Sequence, residues 1–286
     1  MQILDFDQLF VSKQFRTIPA AISIGVYDGL HVGHQLIINT AIKHASSHKG
    51  WSTVVFTFAQ NPKTMMGRNP YDKPLMSLRQ STDFFAKLGV DYLVVIDFSP
   101  DFSKLTGEAF IARCCSMFAV KAVVIGENFR CGSSAQTGPK ELEEIVPKYT
   151  SGAVVIVPPM YRLSDGTEDS STLVRIRLTQ GKLSEVSELL GRNYSVDLAP
   201  LPSRNIEYPL RFPIGSFVQL LPPPGMYDTM LVAADRSETK LVTIVDEEFL
   251  TLTSTGSPAL SDGSEGIGVP ERFDNLEFIK ELSPLC

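Results

Sequence analysis

Five short β-branched runs, AISIGVY (21–27), STVVFTF (52–58), DYLVVIDF (91–98), KAVVIG (121–126) and GAVVIVP (152–158), set the pattern of the first half of the chain. They are apolar throughout rather than alternating, as expected of strands covered on both faces. The stretches between and after them carry helical candidates near 31–48, 77–88, 105–117, 139–148 and 172–190. That succession predicts an α/β fold, an open parallel sheet with helices on both sides.

Around 191–216 the texture changes to GRNYSVDLAPLPSRNIEYPLRFPIG, rich in Pro, Gly and Ser, which predicts a boundary between domains 1–190 and 191–286. Downstream, SFVQLL (216–221), TMLVAA (229–234), KLVTIV (240–245) and EFLTLTS (248–254) read as antiparallel strands, with PPPG at 222–225 as a turn. SPALSDGSEGIGVP (257–270) reads as a flexible loop. ERFDNLEFIKEL (271–282) reads as a closing helix, with Phe273, Leu276, Phe278, Ile279 and Leu282 as packing residues.

With 286 residues, 43% of them hydrophobic, the chain can build its core without disulfides or metal. The net charge of −6 is uneven: residues 1–190 carry 19 basic and 18 acidic side chains, and 191–286 carry 7 and 14. Neither half is a basic surface for nucleic acid. The four cysteines, Cys114, Cys115, Cys131 and Cys286, have neither metal-site nor secreted-framework spacing. The start, MQILDFDQLF, lacks a basic n-region and an apolar segment, so the expectation is a cytoplasmic protein with no membrane partner.

The segment SIGVYDGLHVGHQLIINTAIKHA is a buried strand, a glycine-bearing turn and a helix opening at about Leu30 or His31. Amides at such a helix start, backed by the helix dipole, can hold phosphate. Gly25 and Gly29 let the backbone approach closely, and Gly33 removes a side chain between His31 and His34, which share a helix face. Imidazoles there can donate to polyphosphate oxygens and oppose charge moving onto pyrophosphate. From spacing alone, the same residues also fit an ordinary polar helix start. A metal site does not follow: His34 and His44 are roughly 15 Å apart along one helix, and His44 with His48 fits an exposed helix face.

GVYDGLHVGHQ resembles the GxFDGxHxGH signature of the bifunctional riboflavin kinase/FMN adenylyltransferase family, within the HxGH nucleotidyltransferases. The resemblance implies a Rossmann-like domain in which His31 and His34 contact ATP phosphates and stabilise the transition state. Gly25, Tyr27, Asp28, Gly29 and Gly33 would line the ATP site, Tyr27 standing where Phe is usual. SSTLVRIR (170–177) is similar to the family's SSTxxR pattern, implying ATP contacts from Ser171 and Thr172 and a catalytic Arg175, whose guanidinium can fork onto a triphosphate. VIGENFRCGSSAQTG (124–138) resembles VGxDFRFG and brings in Asn128, Phe129 and Arg130 as flavin or nucleotide contacts. FTFAQNPKTMMG (56–67) adds Phe58 and Asn61, with Asn61 where the family has His; Asn can hydrogen-bond but carries no charge.

Further on, LLPPPGMYDTMLVA (220–233) and the RF…L ending resemble a riboflavin kinase β-barrel, but RNIEYPLRFPIG (204–215) has no counterpart of the GRxxGxPTAN motif. The resemblance thus implies an FMN adenylyltransferase that makes FAD from FMN and ATP with Mg2+. The kinase half would be degenerate, and FMN would come from a separate riboflavin kinase or another supply. Metal ligands from the protein are not assignable. Two other readings stay open: transfer of an adenylyl or cytidylyl group to a different acceptor, and a non-catalytic flavin- or nucleotide-binding regulator.

Overall fold

The computed structural model describes residues 1–65, 73–201, 209–253 and 273–284. The chain divides into two compact units, Met1–Asp72 with Leu78–Asp169, and Lys73–Ser77 with Ser170–Cys286. The loop expected at 257–270 lies outside the described residues.

In the first unit the order is β1 (Gln2–Asp5), α1 (Phe6–Ser12), β2 (Pro19–Ile24), α2 (Val32–Ser46), β3 (Ser52–Phe58) and α3 (Pro62–Met65). There follow α4 (Leu78–Leu88), β4 (Tyr92–Ile96), α5 (Gly107–Met117), β5 (Ala119–Val124), α6 (Pro139–Tyr149) and β6 (Val154–Ile156). The strands form one sheet in the order β1-β4-β3-β2-β5-β6, every neighbouring pair parallel. All five expected strands are present, and their continuous apolarity has its reason: Ile22, Ile24, Val54, Phe56, Val94, Ile96 and Val123 are buried on one face with Phe110, Ile111 and Leu142 from the helices, while Ala21 and Ala122 are buried on the other with Ala45. The chain steps from β2 outward to β3 and β4, then returns to place β5 on the other side of β2. That reversal makes the carboxyl ends of β2 and β5 the switch point of the sheet, the place where open α/β sheets collect ligands.

The second unit holds α7 (Ser171–Thr179), α8 (Leu183–Leu190), β7 (Tyr194–Asp197), β8 (Leu210–Pro213), β9 (Gly225–Ala233), β10 (Glu238–Val245), β11 (Phe249–Thr253) and β12 (Phe273–Pro284). Its strands make a barrel-like sheet in the order β7-β12-β9-β10-β11-β8, antiparallel throughout. Here burial does alternate: in β9 every second residue from Gly225 to Ala233 is buried. Lys73–Ser77 is built into this unit. Leu220 N–H donates to Pro74 O at 3.0 Å, Gln219 Nε2 to Leu75 O at 3.1 Å, and Ser77 Oγ to Asp197 Oδ2 at 2.6 Å.

Three expectations are corrected. From Phe273 onward the span expected as a closing helix is strand β12. Its register slips between Phe273 and Asn275, and again between Phe278 and Lys280. The bulge puts buried Phe273 and Leu276 three apart, a spacing that imitates a helical face, whereas Ile279 and Leu282 are exposed. The single helix expected over 172–190 is two helices, α7 and α8, separated at Gly181, whose φ is +73°. SFVQLL is not a strand, because buried Gln219 turns its amide onto Leu75 O, Ser195 O and Asp197 N–H instead of leaving the backbone to a ladder. Within the second unit, α8 packs against β7 and β12.

Candidate active site

Strand β2 ends at Ile24, and the chain then turns through Gly25–Leu30 before α2 begins. Gly29 has φ +80° and Leu30, fully buried, has φ +43°, so the turn is held in a conformation that costs a non-glycine residue about 1 kcal/mol or more. Gly25 is needed because the Tyr27 ring folds back over it: a Cβ there would stand 2.8 Å from Tyr27 Cζ. The Tyr27 hydroxyl is tied down at the carboxyl ends of the central strands β2 and β5. Ser23 Oγ donates to Val124 O across to β5 at 2.9 Å, and the Tyr27 hydroxyl donates to Ser23 Oγ at 2.6 Å. Burial pushes the Tyr27 phenol well above its ordinary range, partly opposed by the Ser23 bond, so it stays a neutral donor.

His31 is the N-cap of α2, with φ −63° and ψ 169°, and its side chain makes no cap bond of its own. Asp169 supplies one. Its Oδ2 accepts the Gly33 N–H at 2.7 Å and the His31 Nδ1–H at 2.8 Å. The Asp169 side chain is fully covered, and its Oδ1 is buried with no hydrogen-bond partner among the described residues.

The His31 and His34 rings lie 3.7 Å apart between centroids, and the Tyr27 ring meets His34 edge-on at 5.2 Å. A Cβ on Gly33 would stand 3.2 Å from His31 Cε1 and 3.4 Å from Asp169 Oδ2, so the glycine makes room for the His31 ring. Burial, then the neighbouring His31, hold His34 well below the usual imidazole range, leaving it neutral at pH 7. His34 Nδ1 is buried without a hydrogen-bond partner among the described residues. The arrangement is a helix start with two closely apposed imidazoles, tilted 32° to one another, able to donate to anionic oxygens.

Of the other expected residues in this unit, Phe58 ends β3 and packs on Phe98 and Phe102, ring centroids 6.1 and 5.9 Å away. Asn61 opens α3, its carbonyl accepting the N–H of Thr64 and Met65, with Pro62 at the first helical position. Past β5, Asn128 is exposed and Phe129 packs on the core. Arg130 Nη1 donates to Phe129 O at 2.6 Å, within its own loop. An open cavity of about 470 Å³ lined by Glu127, Arg130, Gln136 and Lys140 lies there, and neither site histidine lines it.

In the second unit Ser171, Thr172 and Arg175 stand on α7, which Ser170 caps by accepting the Leu173 N–H at 3.2 Å. Arg175 donates from Nη1 to Ser171 O and from Nη2 to Lys73 O, at 3.3 and 3.5 Å. Sequence reasoning missed Asp169. Its position directly before the SST motif is the only signal, and its partners lie more than 130 residues away. Among the described residues no helix is long and apolar enough to cross a membrane.

Across both units the fold is similar to a solved macrolide-efflux protein from Streptococcus pneumoniae, with a TM-score of 0.76 and 21% identity over 100% of this chain and 92% of that one. A bifunctional riboflavin kinase/FMN adenylyltransferase from Listeria monocytogenes is 32% identical over 187 residues, 64% of this chain and 57% of the relative. An FAD synthetase from the same organism is 25% identical over 178 residues, 62% of this chain and 70% of the relative. The match to the bifunctional relative therefore spans less than two thirds of that protein. Residues 13–172, more than half of the chain and a span that includes the β2–α2 turn, both histidines and Asp169, match the model of the FAD synthetase family, and the chain belongs to that family.

Proposed function

We propose that this protein transfers AMP from ATP to FMN, forming FAD and releasing pyrophosphate. The observation that carries the reading is the pair of imidazoles 3.7 Å apart between ring centroids at the start of α2, at the reversal point of the parallel sheet. An FMN phosphate oxygen attacks the α-phosphorus of ATP; the new O–P bond forms as the bond to the bridging oxygen breaks, and the electron pair leaves with pyrophosphate. That phosphate is already anionic at neutral pH, so no strong general base is required. Positioning and stabilisation of shifting charge supply the rate. His34, neutral, donates to a phosphate oxygen; His31, with Nδ1–H engaged by Asp169, presents Nε2.

The family resemblance assigns Ser171, Thr172 and Arg175 as further ATP contacts, Gly25, Tyr27, Asp28, Gly29 and Gly33 as the lining of the turn, and Phe58, Asn61, Asn128, Phe129 and Arg130 to flavin or nucleotide. Among the described residues no cluster of three or more His, Cys, Asp or Glu could cage a cation. Mg2+ accompanies ATP as the counter-ion of its triphosphate. We assign the transferase activity to residues 1–190 and regard 191–286 as a kinase-like sheet without kinase activity, because RNIEYPLRFPIG lacks the PTAN motif. The activity is placed in the cytoplasm, with FMN made by a separate riboflavin kinase.

Purified protein given Mg·ATP should convert FMN to FAD and pyrophosphate, and should leave riboflavin unphosphorylated. FMN made from riboflavin would refute the loss of kinase activity. Asn61, in place of the family's His, favours one second reading: a regulator that binds FMN without turnover, which the same assay would reveal.

A further inference from the structure

We infer that Asp169 is a positioning residue for His31: it selects the Nδ1–H tautomer of the imidazole, fixes the plane of the ring, and so leaves Nε2 as the nitrogen offered to a phosphate oxygen. Three observations carry this. The first is that one carboxylate oxygen takes both the Nδ1–H of His31 and the backbone N–H of Gly33, at 2.8 and 2.7 Å, so ring and helix start are aligned on a single point.

Asp169 itself is also held in place. Its N–H donates to Tyr161 O at 3.2 Å, Leu163 N–H donates to Thr167 O at 2.9 Å, and Arg162 and Glu168 face each other as an antiparallel bridge. The residue therefore stands at the base of a short hairpin that sets its side chain. Thirdly, the ring has little freedom elsewhere: it lies over Gly33 and 3.7 Å from the His34 ring, and its residue is 5% exposed. A histidine without the carboxylate could flip or change tautomer and lose the geometry while the helix remained intact. Holding an imidazole through its second nitrogen is a general way to orient it, and loss of the orienting group typically costs 10- to 100-fold in function.

The inference deepens the proposed transfer reaction and rests on it for its kinetic arm, while its spectroscopic arm does not. Full-length 15N-labelled protein would be compared as wild type, Asp169→Asn and Asp169→Ala, with His31 assigned through His31→Gln. Long-range 1H–15N correlation spectra report which ring nitrogen carries the proton. Wild type should show Nδ1–H at His31. Asp169→Asn, whose amide oxygen can still accept from both donors, should keep that tautomer, and Asp169→Ala should lose it. FAD formation should follow the same order: kcat falls about 10- to 100-fold in Asp169→Ala, the KM for ATP changes less than threefold, and Asp169→Asn recovers part of the loss. An unchanged His31 tautomer in Asp169→Ala, or an Asp169→Ala enzyme with wild-type kcat, would overturn the inference and leave Asp169 as a helix cap. If instead wild type makes no FAD, the proposed function fails, and the tautomer comparison still decides the role of Asp169. Should Asp169→Ala not fold, loss of the Nδ1–H signal in folded Asp169→Asn would refute it equally.

Discussion

Replacing Gly33 with Ala separates helix stability from site geometry. In a helix Ala is favoured over Gly by about 0.5–1 kcal/mol. Against this, the new methyl would stand 3.2 and 3.3 Å from Cε1 and Nδ1 of His31 and 3.4 Å from Asp169 Oδ2. Those contacts are a few tenths of an ångström too close, so either the ring or the carboxylate has to move. The two effects nearly cancel in stability, and the melting curve of Gly33→Ala should stay within about 1 kcal/mol of wild type. Catalysis has no such compensation. Misplacing a reacting group by about 1 Å can cost roughly 100-fold, so a shift of a few tenths should cost about three- to tenfold in kcat/KM, equivalent to about 0.7–1.4 kcal/mol in the barrier. Steady-state FAD formation at saturating FMN and varied ATP, run beside thermal melts, measures both. A folded Gly33→Ala enzyme with wild-type kcat/KM would show that the His31 ring need not lie where it does.

Other substitutions probe other parts of the structure. His31→Ala should lower FAD formation about 100-fold or more if the ring stabilises the transition state, and near-normal turnover would remove that role. Because His34 is held neutral in the folded protein while the unfolded chain protonates near pH 6.5, the unfolded state binds more protons below that pH. Stability should therefore fall as pH drops from 7.5 to 5.5, and His34→Gln should flatten the dependence; parallel curves would contradict it. Burial pushes the Cys115 and Cys131 thiols up to about 12, so site-resolved mass spectrometry should find both slow to alkylate at pH 7.5 in the native protein and fast in urea. Gly132, at φ +81° with its missing Cβ pointed at the Gly107 backbone, should not tolerate Ala: a loss of about 2 kcal/mol or more is expected in chemical denaturation.

What the chain discloses by itself depends on how local the determining forces are. Strands β2 to β5 are legible because each is a short run buried on both faces, β6 because its run is apolar even though Val154 is exposed at the sheet edge, and the histidine pair because its spacing and the turn before it are contiguous. Strand β1 escapes notice, being four residues at the sheet edge with Ile3 56% exposed. Strands β7 and β8 are equally short and sit in a proline-rich stretch whose composition argues against any ladder. β12 misleads in a different way, since its bulge shifts the apolar positions off the period of two. Phe129 belongs partly to the core, a choice that no local pattern makes. Asp169 is invisible for the most general reason: a single carboxylate acquires its meaning from the loop it meets, and that meeting exists only after the sheet has formed.

The segment Lys73–Ser77 bears on how this protein can be dissected. A gene fragment beginning at Ser170 would look like an independent module, yet it would omit the peptide whose carbonyls receive Gln219 and Leu220 and whose serine meets Asp197. Leu75, fully enclosed, would leave a void behind it. Excising the C-terminal half for separate study calls for supplying that pentapeptide, fused or in trans; otherwise an unstable product would reflect the cut and say nothing of the native sheet.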